Sequence, residues 1–291
     1  MSKFPLSGFF LVRKPKQWTS FDVVSKVRST LGGAKVGHAG TLDPNATGVL
    51  LLGVNRCTKM LGFLSLLHKE YQGDIFLGAR SNTDDIDGKI TKEKIFVEPK
   101  LEDIKKILKK DFTGKFLQKP PQFSAVKIGG KKSYELARKG KTVDIPPKQV
   151  EVLEMEVLEF KFPILRVRLL CTSGFYVRSL ARDLGEALSC GAYLKELERT
   201  KIGNFSLEKS VSVEDISMEN AEKLLLKMEE VSPLPTKVLE KGKKFFLNQK
   251  VNLENLSCAE YSNEEKVLLV SGNRFAIIEN DGNIFKVAKV I

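Results

Sequence analysis

A glycine-rich loop directly before a short apolar run is the feature that most constrains this chain. The loop spans residues 37–48 (GHAGTLDPNATG) and places one carboxylate, Asp43, immediately before Pro44. Proline pushes the preceding residue out of the helical region, and glycines allow backbone conformations that other residues resist. The next residues, 49–54 (VLLLGV), are short and apolar, which is typical of a buried strand. The sequence therefore predicts that Asp43 is held in a loop anchored by a core strand.

The charge of the chain favours a polyanionic partner. Forty-eight Lys and Arg residues against 36 Asp and Glu residues give a formal net charge of +12, which suits nucleic acid better than a small neutral metabolite. At 291 residues, one large domain plus a small one is expected. No apolar run approaches the roughly 20 residues of a membrane-spanning helix, and residues 1–12 lack the features of a signal peptide. We therefore expect a cytoplasmic protein that does not enter a membrane.

The cysteines and histidines predict neither a metal site nor a disulfide framework. The cysteines are scattered and form no C-x-x-C pair, and neither histidine stands at ligand spacing from a cysteine, a glutamate or the other histidine. The acidic turn 82–88 (NTDDIDG) also lacks the glutamate that would complete a calcium loop. The residues concerned are Cys57, Cys171, Cys190, Cys258, His38 and His68.

Alternation of strand and helix patterns predicts a mixed α/β or α+β fold rather than a doubly wound sheet. Antiparallel pairing is indicated by the half-buried pattern of two neighbouring strands, 150–162 and 164–172. Further strands are predicted over 9–12, 71–78, 266–270, 274–279 and 284–290. Helices are predicted from a cap at Ser20 to Gly32, over 58–67, over 101–108, and after Ser173 with Tyr176 and Arg178 in the first turn.

Common nucleotide and hydrolase motifs are missing. Residues 32–39 have the first spacing of a phosphate-binding loop but lack its Lys-Ser/Thr pair. The chain contains no G-x-G-x-x-G after a predicted strand and no G-x-S-x-G elbow. Nucleotide hydrolysis, dinucleotide binding and serine-hydrolase chemistry are therefore disfavoured, as is a Rossmann-type methyltransferase.

An aspartate before proline can be a simple turn former, but the whole of 37–48 resembles the G-H-x-G-T-L-D-P-x-A-T-G signature of the TruB family of tRNA pseudouridine synthases. Four further segments resemble the same family in the same order, so the resemblance covers nearly all of residues 9–205. They are Lys14-Pro15 with 19–22 (TSFD), 69–71 (KEY) with Leu77-Gly78, 118–127 (QKPPQFSAVK) and 174–179 (GFYVRS).

The resemblance implies a pseudouridine synthase fold, in which helices flank a central, largely antiparallel mixed sheet. It also implies a small C-terminal β-rich domain of PUA-like type. We accordingly expect a catalytic domain over residues 1–232, with an RNA-contacting insertion at about 118–150, and an RNA-binding domain over residues 233–291.

The same resemblance assigns catalytic roles to three residues. Asp43 is the catalytic carboxylate, Arg178 is its ionic partner, and Tyr71 lies on the target base with a hydroxyl that is a candidate for removing a proton. From the residues alone, each has a simpler alternative: a turn aspartate, a surface ion pair worth under about 1 kcal/mol and a core tyrosine. Isomerising uridine involves no redox change and transfers no external group, so no cofactor is expected.

RNA contacts are expected around the loop and in the insertion. Residues 127–148 carry seven basic side chains against two acidic ones, although a solvated loop could have the same composition. By resemblance, this stretch is a flap that orders on tRNA. The residues expected to contact RNA are Lys14, His38, Lys127, Lys131, Lys132, Arg138 and Tyr176.

The resemblance thus implies an enzyme that flips uridine 55 out of the T loop of tRNA and converts it to pseudouridine. Flipping costs a few kcal/mol that RNA contacts must offset. We expect the enzyme to work as a monomer, without a protein partner, on the T-arm stem-loop. The alternative is a protein of the same fold that binds or remodels tRNA without chemistry, which the basic charge alone supports equally well.

Overall fold

The structure is a computed structural model, and it describes residues 4–124, 127–128, 131–133, 144–240, 243–246, 249–251, 264–271, 274–280 and 285–291. At 127, 128, 131 and 132 it describes the backbone alone. Within these ranges the chain forms one ten-stranded sheet, one five-stranded sheet and two short hairpins, with helices packed against them. The mixed fold class predicted from the sequence is confirmed.

The elements follow one another as strands interrupted by short helices. The strands of the first part are β1 (Gly8–Lys14), β2 (Val36–His38), β3 (Thr47–Val54), β4 (Lys69–Leu77), β5 (Ala79–Ser81), β6 (Ile90–Lys92), β7 (Gly114–Gln118), β8 (Lys127–Ile128), β9 (Lys131–Lys132), β10 (Lys148–Lys161), β11 (Ile164–Cys171), β12 (Ala192–Ile202), β13 (Phe205–Ser206) and β14 (Val211–Ser212). The last strands are β15 (Thr236–Val238), β16 (Lys250–Val251), β17 (Lys266–Ser271), β18 (Arg274–Asn280) and β19 (Phe285–Val290). The α-helices are α1 (Ser20–Thr30), α2 (Leu61–Leu64), α3 (Leu101–Asp111), α4 (Val177–Ala187), α5 (Ala221–Leu224) and α6 (Met228–Val231), and 3₁₀ helices span Asn55–Met60 and Leu207–Lys209.

The large sheet places strand β12 between β3, which follows the Asp43 loop, and β4, which carries Tyr71. Its order is β14-β1-β3-β12-β4-β11-β10-β7, with β2 beside β3 and β13 beside β12. All neighbours are antiparallel except β1 with β14 and β3 with β12. The predicted largely antiparallel mixed sheet is therefore confirmed. Because β12 bonds to both β3 and β4, it brings the start of β3 close to Tyr71.

Strand β3 is apolar throughout because both of its faces are covered. Leu50 and Leu52 pack beneath α1, while Val49 and Leu51 face the C-terminal sheet in a second cluster. A third cluster lies under α3 and α4, on the other half of the large sheet. Burial on both sides removes the alternation of apolar and polar residues that a half-exposed strand shows. The loop before β3 is thus attached to one of the most buried segments of the fold.

Two of the predicted helices differ from the structure, the first in its capping residue and the second in its helix type. Helix α1 is capped by Thr19 rather than Ser20, because Thr19 Oγ1 accepts from Asp22 N at 3.0 Å and Thr19 N donates to Asp22 Oδ2 at 2.8 Å. Residues 58–67 do not form one helix but the end of the 3₁₀ helix followed by the single turn α2. A glycine inside the turn, Gly62, weakens helix propagation there.

The C-terminal sheet has the order β15-β17-β18-β19-β16. One face, with Leu268 and Ile277, packs in a cluster with residues of β1 and β3 of the large sheet. The other face, with Leu269 and Ile278, forms a separate cluster. The β-rich character predicted for this part is confirmed. In the part of the chain that the structure describes, no helix is long and apolar enough to cross a membrane.

Candidate active site

The loop that carries Asp43 is fixed on both sides of the aspartate. Ser20 Oγ accepts from Leu42 N at 2.9 Å and donates to Leu42 O at 3.3 Å. On the other side, Lys14 Nζ donates to Pro44 O at 3.0 Å. Anchoring the residues before and after Asp43 fixes the direction of its side chain, which is the kind of support a catalytic group needs.

Arg178 pairs with both carboxylate oxygens of Asp43. Its Nη2 donates to Oδ1 at 3.1 Å, and its Nε lies 2.8 Å from Oδ2. The second contact is an ion pair rather than a hydrogen bond, because the N–H is not aimed well enough at the oxygen. The Arg178 side chain is 7 % exposed and that of Asp43 is 39 % exposed. The cation is therefore enclosed by protein, while the carboxylate can still meet a molecule from solvent.

A second carboxylate and a carbonyl hold the guanidinium of Arg178 from its other sides. Asp85 Oδ2 lies 3.5 Å from Nη1, and Phe123 O accepts from Nη2 at 3.1 Å. Burial raises the pKa of Asp85, against the lowering effects of a hydrogen bond from Thr83 and the charge of Arg178. Sequence reasoning treated Asp85 only as part of a turn, because its partner is far away in the chain. Gly88 N donates to Asp85 O at 3.5 Å and closes that turn. No residue near Asp85 in the sequence indicates its contact with Arg178.

Tyr71 lies on β4, next to the Asp43 loop. It is almost fully buried and belongs to the cluster under α3 and α4. Burial raises the pKa of its phenol, while the positive charge of Arg199 acts to lower it. The structure thus brings Asp43, Arg178 and Tyr71 into one region.

The start of helix α4 is fixed by Gln118, the last residue of β7, which directly precedes the insertion. Tyr176 precedes the helix, and Gln118 bonds to both of its backbone groups: Nε2 donates to Tyr176 O at 3.0 Å, and Tyr176 N donates to Oε1 at 2.9 Å. Ser179 Oγ donates to Lys119 O at 2.8 Å. These contacts tie the beginning of the insertion to the helix that carries Arg178.

The residues expected to contact RNA fall into three groups. His38 ends β2 and is half-buried, and burial lowers its pKa. The backbone at Lys127, Lys131 and Lys132 forms the hairpin β8–β9, and Arg138 lies outside the described residues. Tyr176 is half-buried at the edge of the site, and burial raises the pKa of its phenol.

The buried position of Lys14 contradicts the expectation that this residue contacts RNA. Its side chain is fully buried, and Nζ donates to Pro15 O at 2.9 Å and Trp18 O at 2.5 Å besides Pro44 O. An ammonium that is enclosed by three carbonyls cannot reach a phosphate from this position. A lysine in a motif beside a proline gave no signal of burial, because lysine is rarely buried.

Comparison with protein families identifies two matching models. Residues 28–177 match the TruB family pseudouridylate synthase N-terminal domain, which includes Asp43 and Tyr71. Residues 178–232 match the tRNA pseudouridylate synthase B C-terminal domain, which begins at Arg178.

Similar curated proteins carry one name. The tRNA pseudouridine synthase B of Solibacter usitatus is 39% identical over 258 residues, which cover 89% of this chain and 85% of the relative. That of Corynebacterium efficiens is 44% identical over 240 residues, covering 80% of this chain and 79% of the relative. Among solved structures, a Cbf5-Nop10-Gar1 complex matches with a TM-score of 0.68 at 22% identity, covering 97% of this chain and 84% of that chain. This last similarity is one of fold.

Proposed function

The chain belongs to the TruB family of pseudouridylate synthases, and we propose that it isomerises uridine 55 in the T loop of tRNA, with Asp43, Arg178 and Tyr71 as its catalytic residues. Its activity is that of a tRNA pseudouridine synthase, an isomerase. The observation that carries the proposal for these residues is the two-oxygen pairing of Asp43 with an enclosed Arg178 in the loop that the family model covers.

The reaction breaks the N1–C1′ bond of uridine, joins C5 to C1′ and moves the C5 proton away while N1 gains one. Asp43 acts either as a nucleophile or as a base that takes a proton from the ribose, and both roles need an ionised carboxylate. The guanidinium of Arg178 contacts both oxygens of that carboxylate and holds it in one orientation. Tyr71 packs on the base, and its oxygen receives the C5 proton in the last step.

The site favours chemistry over the alternative of a tRNA-binding protein without catalysis. A protein that only binds RNA has no need to hold a partly exposed aspartate between an anchored backbone and a buried arginine. Burying Arg178 costs desolvation energy that its contacts must offset. Such an arrangement is instead typical of a site where charge is used in a reaction.

RNA binding would involve three parts of the molecule. The insertion follows Gln118, which is bonded to the start of α4, so we propose that its basic residues lie over the bound base. The second part is the rim of the site, where His38 and Tyr176 are half-buried.

The third part is a cleft of about 390 Å³ between the 3₁₀ helix Asn55–Met60 and the C-terminal sheet. Four basic side chains and two phenylalanines line it, which suits phosphates and bases. On this ground we propose that residues 233–291 act as a PUA-like RNA-binding domain. The basic and aromatic lining consists of Arg56, Lys59, Lys244, Arg274, Phe245 and Phe246.

We further propose that the enzyme works as a monomer on the T arm, without a protein partner, in the cytoplasm where tRNA is matured. Recognition of the T arm would rest on the shape of the folded RNA, its phosphates and its unstacked loop bases. A bound T-arm stem-loop that is modified as fast as whole tRNA would support this choice of substrate.

The experiment that tests the function is tritium release from a tRNA transcript labelled at C5 of its uridines, followed by carbodiimide mapping of the product. The wild-type protein should release tritium from one position in the T loop. Asp43→Asn should abolish release and still bind tRNA in a filter assay, because the amide keeps the shape but not the charge. Asp103→Asn, on the exposed face of α3, is the control. Tight tRNA binding without release by the wild type would contradict the proposal.

A further inference from the structure

Arg199 is a fully buried arginine between the two halves of the active site. It is 1% exposed and lies on β12, directly opposite Tyr71 on the neighbouring strand β4. On its other side it is paired with Gly48 at the start of β3. A side chain at this position can reach both the Asp43 loop and the catalytic tyrosine.

The guanidinium of Arg199 bonds to backbone carbonyls of the Asp43 loop. Nη2 donates to Gly40 O at 3.1 Å and Nη1 to Thr41 O at 3.5 Å, while Nε donates to Val49 O at 2.8 Å. Gly40 has a φ of +97°, and Arg199 Nη1 lies on the side where a β-carbon would be. The loop backbone therefore curves around this one cation.

Tyr71 lies beside the same guanidinium that contacts the Asp43 loop. A guanidinium has only donors, so in any hydrogen bond between the two side chains the phenol oxygen of Tyr71 is the acceptor. Burial raises the pKa of Tyr71, and such a bond and the positive charge of Arg199 act to lower it. Arg199 thus offsets part of the cost that burial imposes on negative charge at the Tyr71 oxygen.

The surroundings of Arg199 argue against a plain structural ion pair. No carboxylate lies within ion-pair distance of it among the residues that the structure describes. Its neighbours instead include the amines of Lys14 and Lys69, whose pKa values are each lowered to about 8 by burial, and the imidazole of His38, whose pKa burial also lowers. Burying a cation beside other cations is costly. We expect such a cost only where the charge has a use.

We propose that Arg199 is a positioning residue for the isomerisation. It holds the Asp43 loop and the Tyr71 hydroxyl in fixed positions relative to each other and stabilises the Tyr71 oxygen as the base of the last step. In that step the C5–H bond breaks and its proton passes to the phenolate oxygen of Tyr71. The electron pair of the bond re-forms the C5=C6 double bond of the ring, while N1 takes a proton from water. The hydroxide left by that water removes the phenol proton of Tyr71, which regenerates the phenolate. This inference rests on the proposed function.

The test compares Arg199→Met and Arg199→Lys with the wild type in single-turnover tritium release. Arg199→Met should slow release about 100-fold with a tRNA Kd within about threefold of wild type, because misplaced groups cost rate more than binding. Arg199→Lys keeps a buried cation and should lose about tenfold. The matched control is Arg168→Met on β11, the strand on the other side of β4, whose arginine is partly exposed and pairs with carboxylates.

Two readouts separate positioning from general damage to the fold. In a Tyr71→Phe background, adding Arg199→Lys should lower the rate of tritium release by less than about threefold relative to Tyr71→Phe alone, since the two residues act together. In absorbance titrations near 295 nm, with Tyr71→Phe subtracted, the phenol titration of Tyr71 should move up by about one pH unit in Arg199→Met and less in Arg199→Lys.

Additive losses in the double variant, or a Tyr71 titration that is the same in all Arg199 variants, would overturn the inference. If Arg199→Met does not fold, Arg199→Lys alone decides both readouts. A wild-type protein that releases no tritium would instead defeat the proposed function, and the absorbance titration would still test the contact between Arg199 and Tyr71.

Discussion

The Asp43 loop and the C-terminal sheet are held in place by opposite means. The loop is fixed by buried cations that donate to carbonyls, with Lys14 on Pro44 and Arg199 on Gly40 and Thr41. The C-terminal sheet contains apolar side chains on both of its faces. Buried charge fixes direction at an energetic cost, whereas apolar packing adds stability without fixing the direction of a polar group.

The two regions should therefore respond to mutation in different ways. Changes in the buried cations around the loop should alter the rate of isomerisation more than tRNA binding. Changes in the apolar faces of the C-terminal sheet should alter the free energy of unfolding and leave the chemistry of the folded protein unchanged.

The largest effect is expected at Arg178. Arg178→Met should lower single-turnover release by at least about 10³-fold, because it leaves Asp43 and the buried Asp85 without their shared cation. Arg178→Lys should recover little, since an ammonium cannot contact both oxygens of Asp43.

Arg182, one turn later on α4 and paired with Asp84 at 2.9 Å, provides the matched control for Arg178. Arg182→Met should keep the rate within about tenfold of wild type, because the pair does not involve Asp43. Equal losses at the two arginines would show that the charge of α4 acts as a whole and would break the contrast.

The next effect is one of stability. Phe275 is 5% exposed and packs in the cluster between the two sheets. Phe275→Ala should lower the free energy of unfolding by about 3–5 kcal/mol in urea titrations, because it leaves a cavity, while release by the folded protein stays within about twofold. Val238→Ala, at a site 60% exposed, should cost under about 0.5 kcal/mol. A large loss of rate in Phe275→Ala without unfolding would show that the sheet supports the catalytic loop directly.

How much of this contrast could be predicted depends on the range of the interactions. The Asp43 loop, the strand after it and the turn at 82–88 follow from local glycine, proline and apolar patterns, and the family motifs point to Tyr71 and Arg178. Asp85 was missed because its partner is on α4, far along the chain.

Arg199 was missed for a related reason, since a charged residue within an alternating strand is normally solvent-facing. It is buried only because β12 lies between β3 and β4. The same pairing with distant elements explains why the burial of Lys14 was not foreseen. Local patterns therefore predict secondary-structure elements and the loop position of Asp43. The buried charges around Asp43 depend instead on the order of strands in the sheet.

A smaller effect is expected in the pH dependence of stability. The pKa of Lys14 is lowered to about 8 by burial, although the charge of Asp43 acts to raise it. Between pH 8 and the ordinary lysine value of 10.5, the unfolded chain therefore holds a proton that the folded chain has lost, and stability rises with pH. Relative to Lys14→Met, the wild-type free energy of unfolding should increase by roughly 1–3 kcal/mol over this window.

The control for this trend is Lys16→Met, because Lys16 is 46% exposed and pairs with Glu196 on the surface. Its free energy of unfolding should differ from wild type by a constant amount across the same pH range. Lys14→Met should also bind tRNA within about twofold of wild type at pH 7, since the buried ammonium reaches no phosphate. A flat difference for Lys14→Met would mean that its three carbonyl contacts keep it protonated in the folded protein.

The smallest effect is expected at the cleft beside the C-terminal sheet. Lys244 is exposed on the lining of this cleft, and Lys244→Glu should weaken tRNA binding by about three- to tenfold and reduce the slope of log Kd against log salt by about one, as for one lost phosphate contact. The rate at saturating enzyme should not change, because the cleft is separate from Asp43. Lys109→Glu makes the same charge change on the exposed face of α3. If both variants weaken binding equally, the C-terminal region contributes only through overall charge, and the contrast with the loop reduces to stability alone.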